Sequence, residues 1–417
     1  IYARLCSIFC IVFNWCLVLF KRRSLKGFRL IFNNKEENMK NKLKEIMPVI
    51  AGLIVILILI IIPTGFEGAQ IFKGTERVPA KVLSTDNSQI VDNGLIRTGE
   101  QSCSVEVLKG KFKGEVIGSA VNMLTGSYEN DKIFAEGDKA LIIISYRDSE
   151  ILSAAMIDHY RLNYEIILAV IFGALLIITA GKTGFRSLLS FIITILAVWK
   201  AVVPLYLKGI DPIVSGAVFI TLLSVIIIAM VYGFDRRCFA ATAGVMSGVM
   251  VALVFGAVFT NIFKIHGAVM SMSESLLYCG YGSLNLTSIF TASIFIGSSG
   301  AMMDLAVDIT SAMYEITQKK PDITAKELII SGMNIGRAAM GTISTTLLLA
   351  YTGSCIAMLM VFMAQGTPLV NILNYKYVAA EIVHTVAGSI GLTAVAPLTA
   401  VLGGTVLTYG TKAAKSE

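Results

Sequence analysis

Charge is scarce in this chain. Of its 417 residues only 15% are charged against 55% hydrophobic, and the mean hydropathy is +0.74. That balance excludes folding around a single soluble core and points to an integral membrane protein. The seven cysteines are scattered, without the paired spacing of a metal site. A nucleophile elbow, a Walker loop and a zinc-protease motif are all missing, so no catalytic residue and no cofactor is implied. Internal repetition is missing too: the GAV triplets at Gly216, Gly256 and Gly267 are too short to argue an inverted-repeat transporter. The formal net charge of +7 has a plain explanation in basic loops meeting anionic lipid, and it calls for no nucleic acid partner.

What the chain does have is long apolar runs. A hydrocarbon core about 30 Å thick needs about 20 residues of apolar helix. Such runs occupy residues 48–62, 166–180, 187–207, 213–232, 239–263, 284–303, 345–364 and 378–409. The first two are short, and the last is long and contains Pro397, which predicts a kink or tilt. Lys40, Lys42 and Lys44 precede the first run, Lys182 and Arg186 follow the second, and Arg236 and Arg237 follow the fourth. Lys319, Lys320 and Lys326 follow the sixth, and Lys412 and Lys415 follow the eighth. All of these groups fall on one side, so the expectation is eight spans in a bacterial cell membrane with both termini cytoplasmic.

The start of the chain reads differently. Residues 6–20 are apolar and KRRSLKGFR follows, as in a signal or anchor helix. The first methionine, however, is Met39, and MKNKLKEIMPVIAGLIVILILIII reads as a bacterial N-terminus. KEENM just upstream back-translates to a stretch that accommodates a purine-rich ribosome-binding signal before AUG. Residues 1–38 are therefore expected to be an over-extended reading frame, and residues 39–63 an N-terminal anchor helix.

Residues 64–160 are polar and rich in β-formers. Alternating runs at 78–83, 103–108, 114–121 and 140–145 read as strands of an extracytoplasmic barrel or sandwich between the first and second spans. Lys109 to Gly114 reads as a hairpin connection, and Asp138 after Gly137 as a turn. Cys103 and Cys279 are both expected outside and so could pair, an expectation that rests on shared topology alone.

Residues 161–417 carry the other seven spans. Ala240, Gly244, Gly248, Ala252 and Gly256 recur every four residues, a stripe that lets another helix approach closely and favours packing over a pore lining. The loop holding Lys264, His266, Glu274 and Tyr278 reads either as an interfacial helix or as a lid. Thr324 with Glu327 forms a capping box for an amphipathic helix over 324–342, which leads into the seventh span. Asn334, Arg337, Gly341 and Thr345 share one face of it.

The leading site lies where the sixth span ends. At about 100° per residue, Asp304, Asp308, Ser311 and Glu315 lie within roughly 60° of each other. Lipid offers a carboxylate no partner, so such a stripe faces water, protein or a cation. Gly297 and Gly300 beside it permit close backbone approach. Arg337 is placed to pair with one of the carboxylates, and Asn334 with the hydroxyls of Thr342, Ser344, Thr345 and Thr346 would complete a polar pocket. Against this stands the bland reading, that acids near the cytoplasmic boundary need no function. Weaker candidates are Lys200, toward the outer side of the third span with room to snorkel beside Trp199, and Glu381 with His384 near the outer start of the last span, an i, i+3 pair with the chemistry to titrate or to bind a metal but without a third ligand. Paired aspartates also bring an intramembrane aspartyl protease to mind, but no second catalytic segment of that class is present.

The strings G-x-x-G-A-x-x-D at 297–304, S-G-x-N-I-G-R at 331–337 and G-T-x-x-x-T-L at 341–347 resemble the YibE/F-like family of bacterial multi-pass membrane proteins. The resemblance runs from Met39 onward. In that family the position after Arg337 is often acidic and that of Thr345 often Asn; here Ala338 and Thr345 stand there. The resemblance implies an integral membrane protein of uncharacterised activity and adds no substrate. Three functions then compete: a permease or channel-like transporter of a small solute or ion, a non-catalytic membrane scaffold whose outer domain binds an envelope partner, and, third, a membrane-embedded enzyme.

Overall fold

The computed structural model describes residues 35–67, 74–148 and 150–413. Of the segment expected to be an over-extended frame, residues 1–34 lie outside that set. The chain divides into two compact units: residues 60–188 with 199–204, and the residues up to 59 with 189–198 and the chain from 205 onward.

The first unit holds a closed barrel of β1 (Thr75–Asp92), β2 (Arg97–Val107), β3 (Val116–Thr125), β4 (Lys139–Arg147) and β5 (Glu150–His159), in the order β1-β2-β3-β5-β4. Neighbours are antiparallel except β3 with β5. Closure removes the exposed edges that an open sheet would present. Inward positions alternate: Val78, Ala80 and Val82; Cys103, Val105 and Val107; Ala140, Ile142 and Ile144 are all buried. Ala80, Ala120, Ala140 and Ala154 leave room in so narrow an interior for Ile142, Ile144 and Phe134. Each large side chain buried there contributes about 1.5–3 kcal/mol.

Barrel, not sandwich, is thus the outcome of the two expected forms. The hairpin is as expected, with Gly110 and Gly114 at φ 90° and 87° and the Gly114 N–H donating to the Val107 carbonyl at 2.8 Å. Asp138 occupies a turn, accepting from the Ala135 N–H at 2.9 Å. Two polar side chains belong to the interior. Gln101 accepts from the Phe134 N–H at 3.0 Å and donates to the Phe134 carbonyl at 2.9 Å, while Asn122 donates to Gln101 at 3.0 Å and to the Lys132 carbonyl at 2.6 Å. They pin the long β3–β4 connection to the barrel.

α1 (Lys35–Ile61) precedes the barrel, and α2 (Leu162–Ala197) follows it. α2 is broken at Gly181, whose φ of 58° and ψ of −123° belong to glycine alone. Beyond it the chain folds back. A Cβ on Gly184 would clash with the Leu176 carbonyl, and one on Gly173 would lie 3.4 Å from Leu188. Fifteen residues of straight helix would hold Gly173 and Leu188 about 22 Å apart, so the two legs lie side by side.

In the second unit, α3 (Val203–Leu207, of which Leu205 onward belongs here) leads to α4 (Pro212–Tyr232), capped by Asp211, and α5 (Arg236–Ile262), capped by Asp235. The loop between α5 and the next long helix contains α6 (Ser273–Tyr278), with Tyr278 exposed. There follow α7 (Leu286–Lys319), α8 (Ala325–Ser354), α9 (Ile356–Ala364), α10 (Leu369–Asn374) and α11 (Lys376–Ala413). Gly248 of the small-residue stripe sits against Val395 and the Gly391 carbonyl, and Gly391 against Ala252, so this stripe packs α5 on α11 as its spacing predicts.

Among the described residues, five helical stretches are long and apolar enough to cross a membrane: Leu162–Leu207, Pro212–Tyr232, Arg236–Ile262, Leu286–Lys319 and Lys376–Thr408. α8 with α9 makes a sixth, bent by 63° where a straight run over 345–364 is expected. The break falls at Cys355, after Gly353 and two hydroxyls, Thr352 and Ser354, that turn back onto the carbonyls of Leu348 and Tyr351. The capping box of Thr324 and Glu327 is present. Cys103 and Cys279 are both free thiols.

Candidate functional site

α7 carries the expected stripe. Gly297, Gly300, Asp304, Asp308 and Ser311 lie within about 80° around its axis. Asp304 and Asp308 are exposed from the bundle, and a side chain at Gly300 would meet nothing within 4 Å. Among the described residues no ion pair reaches either aspartate. Ser311 is held by the Tyr232 hydroxyl at 2.6 Å, which also donates to the Val307 carbonyl. Arg237 lies over the rings of Tyr232 and Tyr314, at 4.8 and 4.3 Å, and pairs with Asp235 at 2.6 Å. This clamp fixes the Ser311 end of the stripe to α4 and α5.

The other end of the stripe meets a second group. Gly297 faces Tyr351 of α8 and His384 of α11: a Cβ there would lie 2.9 Å from the Tyr351 hydroxyl and 3.6 Å from His384 Nε2. The His384 ring stands 4.5 Å from that of Tyr351 and 6.3 Å from that of Phe290. Its Nε2 is 3.2 Å from the Ser293 carbonyl. The Tyr351 hydroxyl is buried and, among the described residues, has no hydrogen-bond partner. Glu381, half-buried, precedes His384 by one helical turn.

The polar face of α8 does not join this arrangement. α8 packs through Gly332, against Met313 and Ala400, and through Gly336, against Ala396 and Ile309. Asn334, Arg337 and Thr345 lie on the opposite side and are exposed. Arg337 reaches Asn334 at 3.5 Å and, among the described residues, neither Asp304 nor Asp308. The hydroxyls of Thr342, Thr345 and Thr346 are satisfied by carbonyls of their own helix at 2.9–3.0 Å.

Lys200 does not snorkel beside the exposed Trp199. It sits in a π-helical turn (Val198–Val202), is 7% exposed, donates to the Ile62 carbonyl at 3.1 Å and stands 4.0 Å from Glu67. The backbone N–H of Thr64 is the chief cause holding the Glu67 carboxyl down at about 2, so Lys200 faces an ionised partner.

The description YibE/F-like protein matches residues 168–409, more than half of the chain. The chain belongs to the YibE/F-like family. The YibE/F-like match begins in α2 and ends in α11, so it contains Asp304, Asp308, Tyr351, Glu381 and His384 and leaves the barrel outside. The earlier resemblance, drawn from Met39 onward, is wider than this match. No curated protein and no solved structure matches the chain.

Chemically the YibE/F-like region thus offers two groups along one helix face: carboxylates at Asp304 and Asp308, and an imidazole, a phenol and a carboxylate around Gly297. Tyr351, Tyr232 and Arg237 are the residues that sequence reasoning misses. A tyrosine on an apolar helix reads as packing, and only Gly297, singled out for its smallness, marks where Tyr351 lands.

Proposed function

We propose that this member of the YibE/F-like family is a multi-pass permease or channel-like transporter of a small solute or cation, with Asp304 and Asp308 as its inner cation sites. The observation that carries this reading is the continuous face of α7, running from Gly297 beside His384 and Tyr351, past the open position at Gly300, to two carboxylates that have no cationic partner among the described residues. Lipid offers a carboxylate no partner, so an acidic face of this kind supports a path for water or a cation at the edge of the bilayer. Counting the legs of α2 as two spans, with α1, α4, α5, α7, the α8–α9 pair and α11, gives eight. The basic residues at one set of ends then support cytoplasmic termini in a bacterial cell membrane, with the barrel outside. Arg337, Asn334 and Thr345 line the far face of α8, where they would meet lipid headgroups or solute only if α8 rotates.

The test is thermal stability of residues 39–417 in nanodiscs against a panel of ions and small metabolites, since a ligand that binds only the folded state raises it. A shift lost in Asp304→Asn or Asp308→Asn supports the reading, and a flat panel with variants like wild type overturns it. A scaffold role is favoured by one feature: Leu95 and Tyr128 on the barrel are 79% and 86% exposed, an apolar surface for an envelope partner. Copurification of such a partner that survives Asp304→Asn would favour this second reading.

A further inference from the structure

We propose that His384, with Glu381 and Tyr351, forms a proton-binding station in the middle of the helical bundle, separate from Asp304 and Asp308. The inference deepens the permease reading by naming the proton as its coupled ion, and rests on that reading for this consequence alone.

Depth is the first argument. Gly297, against which His384 and Tyr351 sit, is eleven residues beyond the first residue of α7. At 1.5 Å per residue that is about 17 Å, half of a hydrocarbon core about 30 Å thick. The second argument is the tautomer. His384 Nε2 lies 3.2 Å from the Ser293 carbonyl oxygen, and a carbonyl only accepts, so Nε2 carries the hydrogen. Nδ1 is then the one free lone pair on the ring.

The surroundings suit a proton at that atom. Glu381 stands one turn earlier on the same helix and supplies a balancing charge. The buried Tyr351 hydroxyl is an unspent donor whose ring lies 4.5 Å from the imidazole. Any side chain at Gly297 would displace it. One imidazole, one carboxylate and one phenol fall short of the four ligands zinc prefers.

Other titratable groups stand further off. Asp304 lies two turns along α7, Lys376 two turns back on α11, and His266, exposed in the loop before α7, uses its Nδ1 to accept from the Ala268 N–H. Loading is simple: a proton from water bonds to Nδ1, giving an imidazolium beside the Glu381 carboxylate, and leaves by the reverse step.

The chain has only three histidines, His159, His266 and His384. Nitrogen-15 histidine spectra of the full chain in nanodiscs between about pH 5 and pH 9 therefore resolve the station, with His384→Gln assigning its signals. The expected result is a one-proton titration of His384 whose midpoint moves to lower pH in Glu381→Gln, and a changed Nδ1 signal in Tyr351→Phe, which keeps the ring and its packing. A His384 signal constant across the range, or a midpoint unmoved in Glu381→Gln, overturns the station. Proteoliposomes holding a pH-sensitive dye separate the two proposals. Titration without proton entry in wild type supports the station and overturns the proton as the coupled ion, while the permease reading stands or falls on the ligand panel. Proton entry that persists in His384→Gln overturns the station's part in transport.

Discussion

Replacing Gln101 by leucine tests whether the barrel depends on its buried amides. Gln101 is fully buried, and its side chain makes hydrogen bonds to Phe134 N–H, Phe134 carbonyl, Asn87 and Asn122, all between 2.8 and 3.0 Å. Leucine fills similar space and makes none of them. Asn122 keeps its 2.6 Å bond to the Lys132 carbonyl, and Asn87 is exposed enough to turn to water. The Phe134 N–H and carbonyl are the groups left stranded, because Phe134 is 1% exposed. At about 1–3 kcal/mol for each buried group left unsatisfied, the change costs about 2–6 kcal/mol, a large part of the 5–15 kcal/mol typical of a whole domain. Hydrogen exchange at the Phe134 amide in the full chain should therefore quicken about 30-fold to 10⁴-fold, taking 1.4 kcal/mol per tenfold. Alkylation of Cys103, whose burial pushes its thiol up to about 11, should rise in parallel. Exchange within threefold of wild type would refute the assignment of Gln101 as the pin of the β3–β4 connection.

Three further outcomes are expected. Cysteines placed at Gly173 and Leu188 should form a disulfide under mild oxidation because the legs of α2 lie side by side, and failure to crosslink would mean a continuous helix. Gly248→Val should destabilise the bundle by about 1–3 kcal/mol or more, read as a lower Tm, because its branched side chain would enter Val395 and the Gly391 carbonyl; an unchanged Tm counts against the α5–α11 contact. On acidification the barrel should loosen below about pH 4. Asp92, chiefly through Arg97, Asp131, chiefly through the Thr125 N–H, and Asp158, chiefly through Arg161, are all held below the usual carboxylate value. Their folded forms bind fewer protons than the unfolded chain, so their stabilisation is complete above the unfolded value and lost as pH falls through the folded one. Barrel exchange rates equally slow at pH 3 and pH 6 would contradict this.

Much of the architecture was written in periodicity, and its failures have physical causes. Alternation located four barrel strands, but β5 reads ILSAAMID, whose small and polar residues hide its two-residue period. The runs 166–180 and 187–207 were legible as apolar, whereas their joining into one α2 with a reversal at Gly181 depends on a single backbone angle. The acidic stripe on α7 follows from helical spacing alone. Spacing also put Asn334, Arg337 and Thr345 on one face, yet it could not say which neighbour that face would meet. Gly332 and Gly336 held that information, since small residues mark the side where helices touch. The bend at Cys355 escaped notice because apolar residues continue across it, and hydropathy does not record direction.

The reversal at Gly181 also bears on how the protein is made. A turn this tight leaves no loop that a growing chain could hold outside the membrane while the first leg settles. On the proposed eight-span reading the two legs would enter as a pair, with Lys182 and Arg186 at the bend retained on the side of synthesis. A larger residue at 181 would thus be felt first during insertion, as misplaced or degraded chains, before any effect on the finished molecule could be measured.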